Sequence, residues 1–203
     1  MFNIVFASTN HGKIREFSYQ LNIPHIQFLT LDKVLLPPLP KIEETGSTFI
    51  ENALLKARGY YHYIKQPIIA DDSGLVVPSL NGEPGVYSAR YAGINATDSQ
   101  NTDLLLLNMQ DMIAEKRDAF FQISLVYKDE SGEMVFDGRC YGKILDRPQG
   151  ANGFGYDPVF YIPEFNKTMA ELTLEEKSKI SHRGRAVNEL KKFLKNVSNN
   201  PDF

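Results

Sequence analysis

"AFFQISLVYKDESGEMVFDGRCYGKIL", residues 119–145, decides the fold class. Two long runs flank Ser131-Gly132, and their alternation is that of two antiparallel strands in a half-buried sheet joined by a tight turn. A hairpin of this length in the middle of the chain breaks any regular alternation of strand and helix. The rest of the chain nevertheless reads as strands and helices, so the class is mixed α/β.

On the N-terminal side, residues 2–7 read as a buried strand and "STNHGK" as a loop. A helix follows from about Gly12 to Leu21, with Ile14, Phe17 and Leu21 on one face. "HIQFLTL" (25–31) predicts a second strand, and residues 33–46 are too rich in proline and glycine for regular structure. Thr48 and Glu51 form a capping box. The helix it opens carries Phe49, Ala53, Leu54, Ala57, Tyr60, Tyr61 and Ile64 at helical spacing, and Pro67 stops it. "IIA" (68–70) then enters the sheet, and "LVVPSLNGEPG" (75–85) reads as strand followed by turns. "DSQNTDLLLLNMQDMIAEK" (98–116) predicts a helix starting at Thr97 or Asp98.

On the C-terminal side, "PQGANGFGYDPVF" (148–160) is a glycine-rich loop leading into a short strand. "TLEE" (173–176) is a second capping box. The last helix runs from about Arg183 to Asn196, with Val187, Leu190, Phe193, Leu194 and Val197 inward. "SNNPDF" is expected to fray. No repeat and no linker is visible. The expectation is one compact domain over residues 1–197, divided at most into two lobes with a cleft between them, and a tail at 198–203.

The 203 residues suffice for one substantial core. A formal net charge of −3 disfavours a broad nucleic-acid surface, though not a local basic pocket for a polyanion. The single cysteine, Cys140, excludes an internal disulfide and a multi-cysteine zinc site, and reads as a small buried strand residue. The first apolar run is too short and lacks the basic flank of a signal peptide, and no membrane span is legible. A cytoplasmic protein without membrane partners is expected.

Five stretches carry chemistry. In "FASTNHGK" (6–13), a strand, a polar loop and a helix N-terminus present N–H groups to an anion, with Ser8, Thr9 and Asn10 as added donors and Lys13 as a charge. A helix cap at Thr9 or Asn10 accounts for the same residues. In "KIEETGSTFIENALLKA" (41–57), Glu43 and Glu44 either favour the helix dipole or supply an oxygen ligand to Mg²⁺, which takes one or two carboxylates and keeps several waters. Lys56 is a phosphate contact or a snorkelling lysine. "ADDSG" (70–74) reads as the end of a strand, either a terminus wetted by its aspartates or one where Asp71 and Asp72 lean toward one mouth. One of them, with Glu44, would hold a metal while the other orients water, and Ser73 would donate to substrate.

In "GANGFGYDP" (150–158), glycines permit close backbone approach, Phe154 offers a stacking face and Asp157 only accepts. An ordinary mobile loop is the competing reading. Lys177, His182 and Arg183 in "EEKSKISHRGRA" (175–186) are donors suited to phosphate and carbonyl oxygens, or a solvated basic connection. No second histidine stands at metal spacing.

Taken in order, "FASTNHGKIREF", "EETGSTFIENALLKA", "ADDSGL…GVYSARYAG", "GANGFGYDPVF" and "ELTLEEKSKISHRGRA" resemble the inosine triphosphate pyrophosphatases, from residue 4 to about 190. The resemblance implies a long mixed sheet with helices in two lobes around a deep cleft, a homodimer, and Mg²⁺ dependence. It implies hydrolysis of dITP, ITP and XTP to monophosphate and pyrophosphate by water attack at the α-phosphorus. Ser8, Thr9, Asn10, His11, Gly12 and Lys13 would embrace the triphosphate. Glu44 and Asp72 would ligate magnesium, with Asp72 also the proton acceptor, Asp71 beside it and Ser73 touching substrate. Phe154, Gly155, Tyr156 and Asp157, with Lys177, His182 and Arg183, would hold phosphate and base. Thr9 stands where many members carry glycine, and threonine adopts a left-handed backbone less readily. The rival functions are a pyrophosphatase for another modified nucleotide, and a nucleotide-sensing or RNA-binding module without turnover.

Overall fold

The computed structural model describes the backbone of residues 2–198 and the side chains of residues 2–196. Strand β1 (Phe2–Phe6) leads into helix α1 (His11–Gln20), and β2 (Ile26–Thr30) follows. After an irregular stretch come α2 (Phe49–Ile64), β3 (Ile68–Val76), α3 (Asp98–Asn108) and the hairpin β4 (Asp118–Lys128) and β5 (Glu133–Ile144). The chain closes with β6 (Phe160–Ile162), β7 (Lys167–Thr168), α4 (Leu174–Ile180) and α5 (His182–Ser198). The strands form one seven-stranded sheet in the order β2-β1-β3-β4-β5-β6-β7. β1 pairs in parallel with β2 and β3, whereas β5, β6 and β7 pair antiparallel, so the sheet is mixed as expected.

Two compact units are built on these elements. Among the described residues the first comprises 2–72, 123–138 and 183–198. Its sheet is covered on both faces. On one, Ile4, Phe6 and Ile69 pack with Phe17 of α1 and Val187, Leu190 and Leu194 of α5. On the other, Val5, Ile68 and Ala70 pack with Ala53, Ala57 and Tyr60 of α2. Alternation along β3 thus sends Ile69 to one layer and its neighbours to the other. Each fully buried large apolar side chain contributes about 1.5–3 kcal/mol, so both stripes hold their helices firmly. Val197 lies outside the described side chains, and the tail from residue 199 outside the described residues.

The second unit comprises residues 73–122 and 139–182. Its core joins Leu105 and Met109 with Phe121, Tyr156, Phe160 and Met169, and Cys140 is buried among them as expected.

The capping boxes at Thr48/Glu51 and Thr173/Glu176 form as read from the sequence. A third, Thr97 with Gln100, opens α3. Two expectations are corrected. α3 stops at Asn108 instead of running to Lys116, because the stretch beyond it turns back and makes only a short 3₁₀ segment at Ala114–Lys116. β3 does not end at "ADD" but continues to Val76 through both aspartates. They therefore alternate like any strand pair and do not lean the same way.

Candidate active site

Asn10 closes the loop after β1 and caps α1: its side-chain oxygen accepts from the Lys13 N–H at 3.0 Å. The Asn10 N–H in turn donates to Ser8 Oγ at 3.2 Å. Of the two cap readings, Asn10 is the one realised. Thr9 has no positive φ, so the missing glycine costs the loop nothing. Thr9, Asn10 and His11 are exposed, while Ser8, Gly12 and Lys13 are half-buried.

The cap sets Lys13 at the start of α1 with its ammonium 2.8 Å from Asp71 Oδ2. Burial pulls the lysine below its ordinary pKa, against the attraction of Asp71. The Asp71 carboxyl is also penalised by burial, yet Lys13, Arg183 and Lys56 outweigh that penalty and hold it below the usual range.

Asp72 projects to the other layer. Its Oδ2 accepts from the Asn52 side-chain amide of α2 at 3.1 Å. Its pKa is raised, first by burial and further by the negative charge of Glu44, with Lys13, Lys56 and the Asn52 hydrogen bond opposing. The two adjacent aspartates therefore differ in kind. Asp71 is neutralised by a cation, and Asp72 holds a buried charge that favours taking up a proton.

α2 organises this layer with two side chains one turn apart, Asn52 and Lys56. Lys56 Nζ lies 3.1 Å from Glu44 Oε2 and donates to the main-chain oxygen of Asp71 at 2.8 Å. Burial lowers its pKa, but Asp71 and Glu44 more than compensate and the net shift is upward. Lys56 is thus tied into the site and is not a snorkelling surface lysine. Glu43, by contrast, is exposed and pairs with Lys41 at 3.0 Å.

Arg183 lies in the first turn of α5 and is buried against Glu16 of α1, its guanidinium donating to Glu16 Oε2. In the first unit, the carboxylates Glu16, Glu44, Asp71 and Asp72 thus meet the cations Lys13, Lys56 and Arg183. Ser73 follows Asp72 in β3 and is half-buried.

In the second unit, Asp157 is the hub. Its Oδ2 accepts from Lys177 Nζ at 2.5 Å and from the Phe154 N–H at 2.9 Å, with both charged side chains buried. The same ammonium stands 5.2 Å from the centre of the half-buried Phe154 ring. The glycines earn their place inside the loop: a Cβ on Gly153, at φ +80°, would sit 2.0 Å from Asp157 Oδ2. The Gly155 N–H donates to Asp98 at 2.7 Å, and Tyr156 is buried with its hydroxyl donating to the Ser88 carbonyl at 2.9 Å. This is an anchored turn, not a mobile loop. His182 is buried and stacks on Phe121, centroids 4.9 Å apart.

Lys177, His182 and Arg183, adjacent in the sequence reading, thus do separate things. Lys177 serves Asp157, His182 packs on an aromatic, and Arg183 serves Glu16. The structure brings together Lys13, Glu44, Lys56, Asp71 and Asp72 as one set, and Phe154, Asp157 and Lys177 as another. Sequence reading missed Asn52, Glu16 and Asp98. Asn52 left a trace: an asparagine within the apolar stripe of α2, four residues before Lys56.

The profile of the Ham1 family matches residues 4–193. This chain belongs to the Ham1 family. The matched span of the Ham1 chain contains every residue of both sets. It is 46% identical over 197 residues to the dITP/XTP pyrophosphatase of Legionella pneumophila, covering 96% of this chain and 99% of that protein. The dITP/XTP pyrophosphatase of Halalkalibacterium halodurans is 44% identical over 191 residues, covering 94% and 97%. Among solved structures, the Ham1 protein of Staphylococcus aureus superposes with a TM-score of 0.85 at 44% identity, covering 96% of this chain and 99% of that one. A HAM1 protein from Coxiella burnetii gives 0.87 at 41%, covering 97% and 100%.

Proposed function

We propose that this Ham1 protein hydrolyses non-canonical purine nucleoside triphosphates, dITP, ITP and XTP, to the monophosphate and pyrophosphate. The names of its relatives support the substrate class. The observation that carries the chemistry is Asp72: a buried carboxylate beside the charge of Glu44, held by a neutral amide and biased toward accepting a proton.

The residues fit a divalent cation. Glu44 and Asp72 are hard oxygen donors tied to the same helix, Glu44 through Lys56 and Asp72 through Asn52. Among the described residues no three His, Cys, Asp or Glu side chains converge on a point. Magnesium takes one or two carboxylates and completes its shell with water and phosphate oxygens, so a pair of carboxylates is enough. Glu44 and Asp72 would hold it. When bound, it supplies positive charge against the phosphate oxygens.

The chain's own residues do the rest. Lys13 and the N–H groups opening α1, with Ser8, Thr9, Asn10, His11 and Gly12 around them, would grip the polyphosphate. A triphosphate carries about four negative charges near neutral pH, so this slightly acidic protein must neutralise it locally. Asp72 would orient a water toward the α-phosphorus and take its proton as the new P–O bond forms. The bond to the pyrophosphate breaks, and the electron pair leaves with it. Asp71 would serve this step by fixing Lys13. Lys56 would hold Glu44 in place, and Ser73 would contact substrate.

At the base, Phe154 would stack while Asp157 holds Lys177, with Gly155 and Tyr156 fixing the turn. A donor from Lys177 or His182 matches the C6 carbonyl of hypoxanthine or xanthine. Adenine's amino group there would leave the donor unmet, at a cost of about 1–3 kcal/mol. Arg183, engaged with Glu16, would help keep the Asp71 carboxylate charged. The family resemblance supports a homodimer. The charge balance supports small nucleotides over nucleic acid as partners, and no helix among the described residues is long and apolar enough to cross a membrane. A cytoplasmic setting accords with a nucleotide-pool substrate.

Incubation with dITP, XTP, dGTP and ATP plus Mg²⁺, with identification of the released anion, tests the reading. Pyrophosphate from dITP and XTP is expected. Binding without product would favour a nucleotide sensor, and preference for ATP or dGTP would overturn the substrate class.

A further inference from the structure

α2 faces the loop before it with one amide that does two jobs. The Asn52 side chain is 1% exposed. Its oxygen accepts from the Gly46 N–H at 2.7 Å. A backbone N–H can only donate, so that contact settles which end of the amide is oxygen and turns the NH₂ toward Asp72, where it donates at 3.1 Å. One buried group therefore spans from the main chain two residues past Glu44 to the carboxylate of Asp72. Gly46 is shaped for it: a Cβ there would lie 2.8 Å from Asn52 Oδ1 and 2.5 Å from Glu51 Cβ. The neighbouring turn is sewn to the same helix, since Glu51 accepts from the N–H groups of Ser47 at 2.7 Å and Thr48 at 3.1 Å.

We infer that Asn52 is a positioning residue: it clamps the Glu44-bearing loop and Asp72 into one frame, so that the two carboxylates keep a fixed separation. The inference rests on the reading of Glu44 and Asp72 as the cation-holding pair. A group that orients metal-holding carboxylates is worth about 10–100-fold in activity or affinity when removed. Asn52 suits the task because both ends of its amide are committed and the group is buried, leaving it no alternative partner in solvent. Lys56, one turn further along α2, ties Glu44 itself to β3, so the helix face acts at two points on the same pair of segments.

The test compares Asn52→Ala, which removes both bonds, with Asn52→Asp, which keeps an acceptor for the Gly46 N–H but replaces the amide donor facing Asp72 with a second carboxyl. Far-UV circular dichroism confirms folding. Hydrogen exchange at the Gly46 amide is read on nucleotide-free, metal-free protein, and kcat and KM for XTP are read at saturating Mg²⁺. Exchange at Gly46 should quicken at least tenfold in Asn52→Ala and stay near wild type in Asn52→Asp. The kcat should fall about 10–100-fold in both, with KM moving less than about threefold.

A folded Asn52→Asp with wild-type kcat would overturn the clamp and leave Asn52 as a loop anchor. Unchanged Gly46 exchange in Asn52→Ala would overturn it as well. If Asn52→Ala fails to fold, Asn52→Asp alone decides through kcat. If the wild-type protein itself releases no pyrophosphate from XTP or dITP, the functional reading fails. The Gly46 exchange then shows whether the loop half of the clamp exists, but the role in catalysis falls with the reading.

Discussion

The Lys13 ammonium and the Asp71 carboxylate form an ion pair of 2.8 Å, and this pair separates the roles of two adjacent aspartates. Asp71 is needed by the fold because it compensates a buried cation. Asp72 is strained by the fold because burial and Glu44 penalise its charge. The two Asp→Asn variants should therefore diverge. Asp71→Asn leaves Lys13 without its counter-charge and should cost about 3 kcal/mol, since breaking a buried pair from one side is expensive. Asp72→Asn should lose turnover by at least about 10³-fold on the scale of removed catalytic groups, while its melting temperature stays level or rises. Thermal melts beside XTP kinetics check this. Destabilisation by Asp72→Asn with activity retained would reverse the assignment.

Lys13→Ala should raise KM and lower kcat together. Hydrogen bonds to charged groups are worth about 1.5–3 kcal/mol, so kcat/KM should fall by roughly 10–150-fold. Steady-state kinetics at fixed free Mg²⁺ give the answer, and an unchanged response to substrate would remove Lys13 from phosphate contact.

Phe154 stands by Lys177 with its ring half-buried. If the ring stacks on the base, Phe154→Ala should weaken nucleotide binding by about 1–3 kcal/mol, with stability little changed. Calorimetric titration with a non-hydrolysable XTP analogue measures it. A lower melting temperature with intact binding would make the ring a packing element.

Gly153→Ala probes the turn around Asp157. The added methyl meets Asp157 Oδ2 at 2.0 Å in a backbone conformation that disfavours any side chain. Loss of about 1–3 kcal/mol in stability is expected. The displaced carboxylate should also free Lys177 and erode discrimination between XTP and ATP. A variant with wild-type stability and selectivity would show that the turn relaxes without disturbing Asp157.

Acid should act partly through Glu176. Main-chain and side-chain hydrogen bonds from Thr173, with Lys167 nearby, hold its pKa down to about 2 from an ordinary 4.5. A depressed folded-state value means the stabilisation is complete above about pH 4.5 and drains away as pH falls toward 2. Glu176→Gln should lower the melting temperature at pH 7 and flatten its fall between those limits. Parallel wild-type and variant curves would remove Glu176 from acid unfolding.

How far the residues could be read locally depended on the reach of each interaction. The capping boxes at Thr48 and Thr173 were legible because their hydrogen bonds close within three residues. The hairpin was legible because alternation repeats along both of its strands. The path of β3 was misread because two aspartates look like a strand's end. They lie inside the strand, since Lys13 and Asn52 come from helices on opposite layers to receive them. Asn52 went unassigned because nothing near it in the chain shows that its amide bridges Gly46 and Asp72.

By itself the sequence determined the family, the mixed sheet and the list of residues that carry charge and hydrogen bonds, because motif spacing and apolar periodicity are properties of short segments. Only the tertiary structure decided which charge meets which. Arg183 reaches Glu16 across 167 residues, Lys177 goes to Asp157, and Lys13 pairs with Asp71. The reason is electrostatic and geometric. A buried cation takes the carboxylate that packing places within reach, and packing is set by the whole arrangement of helices on the sheet.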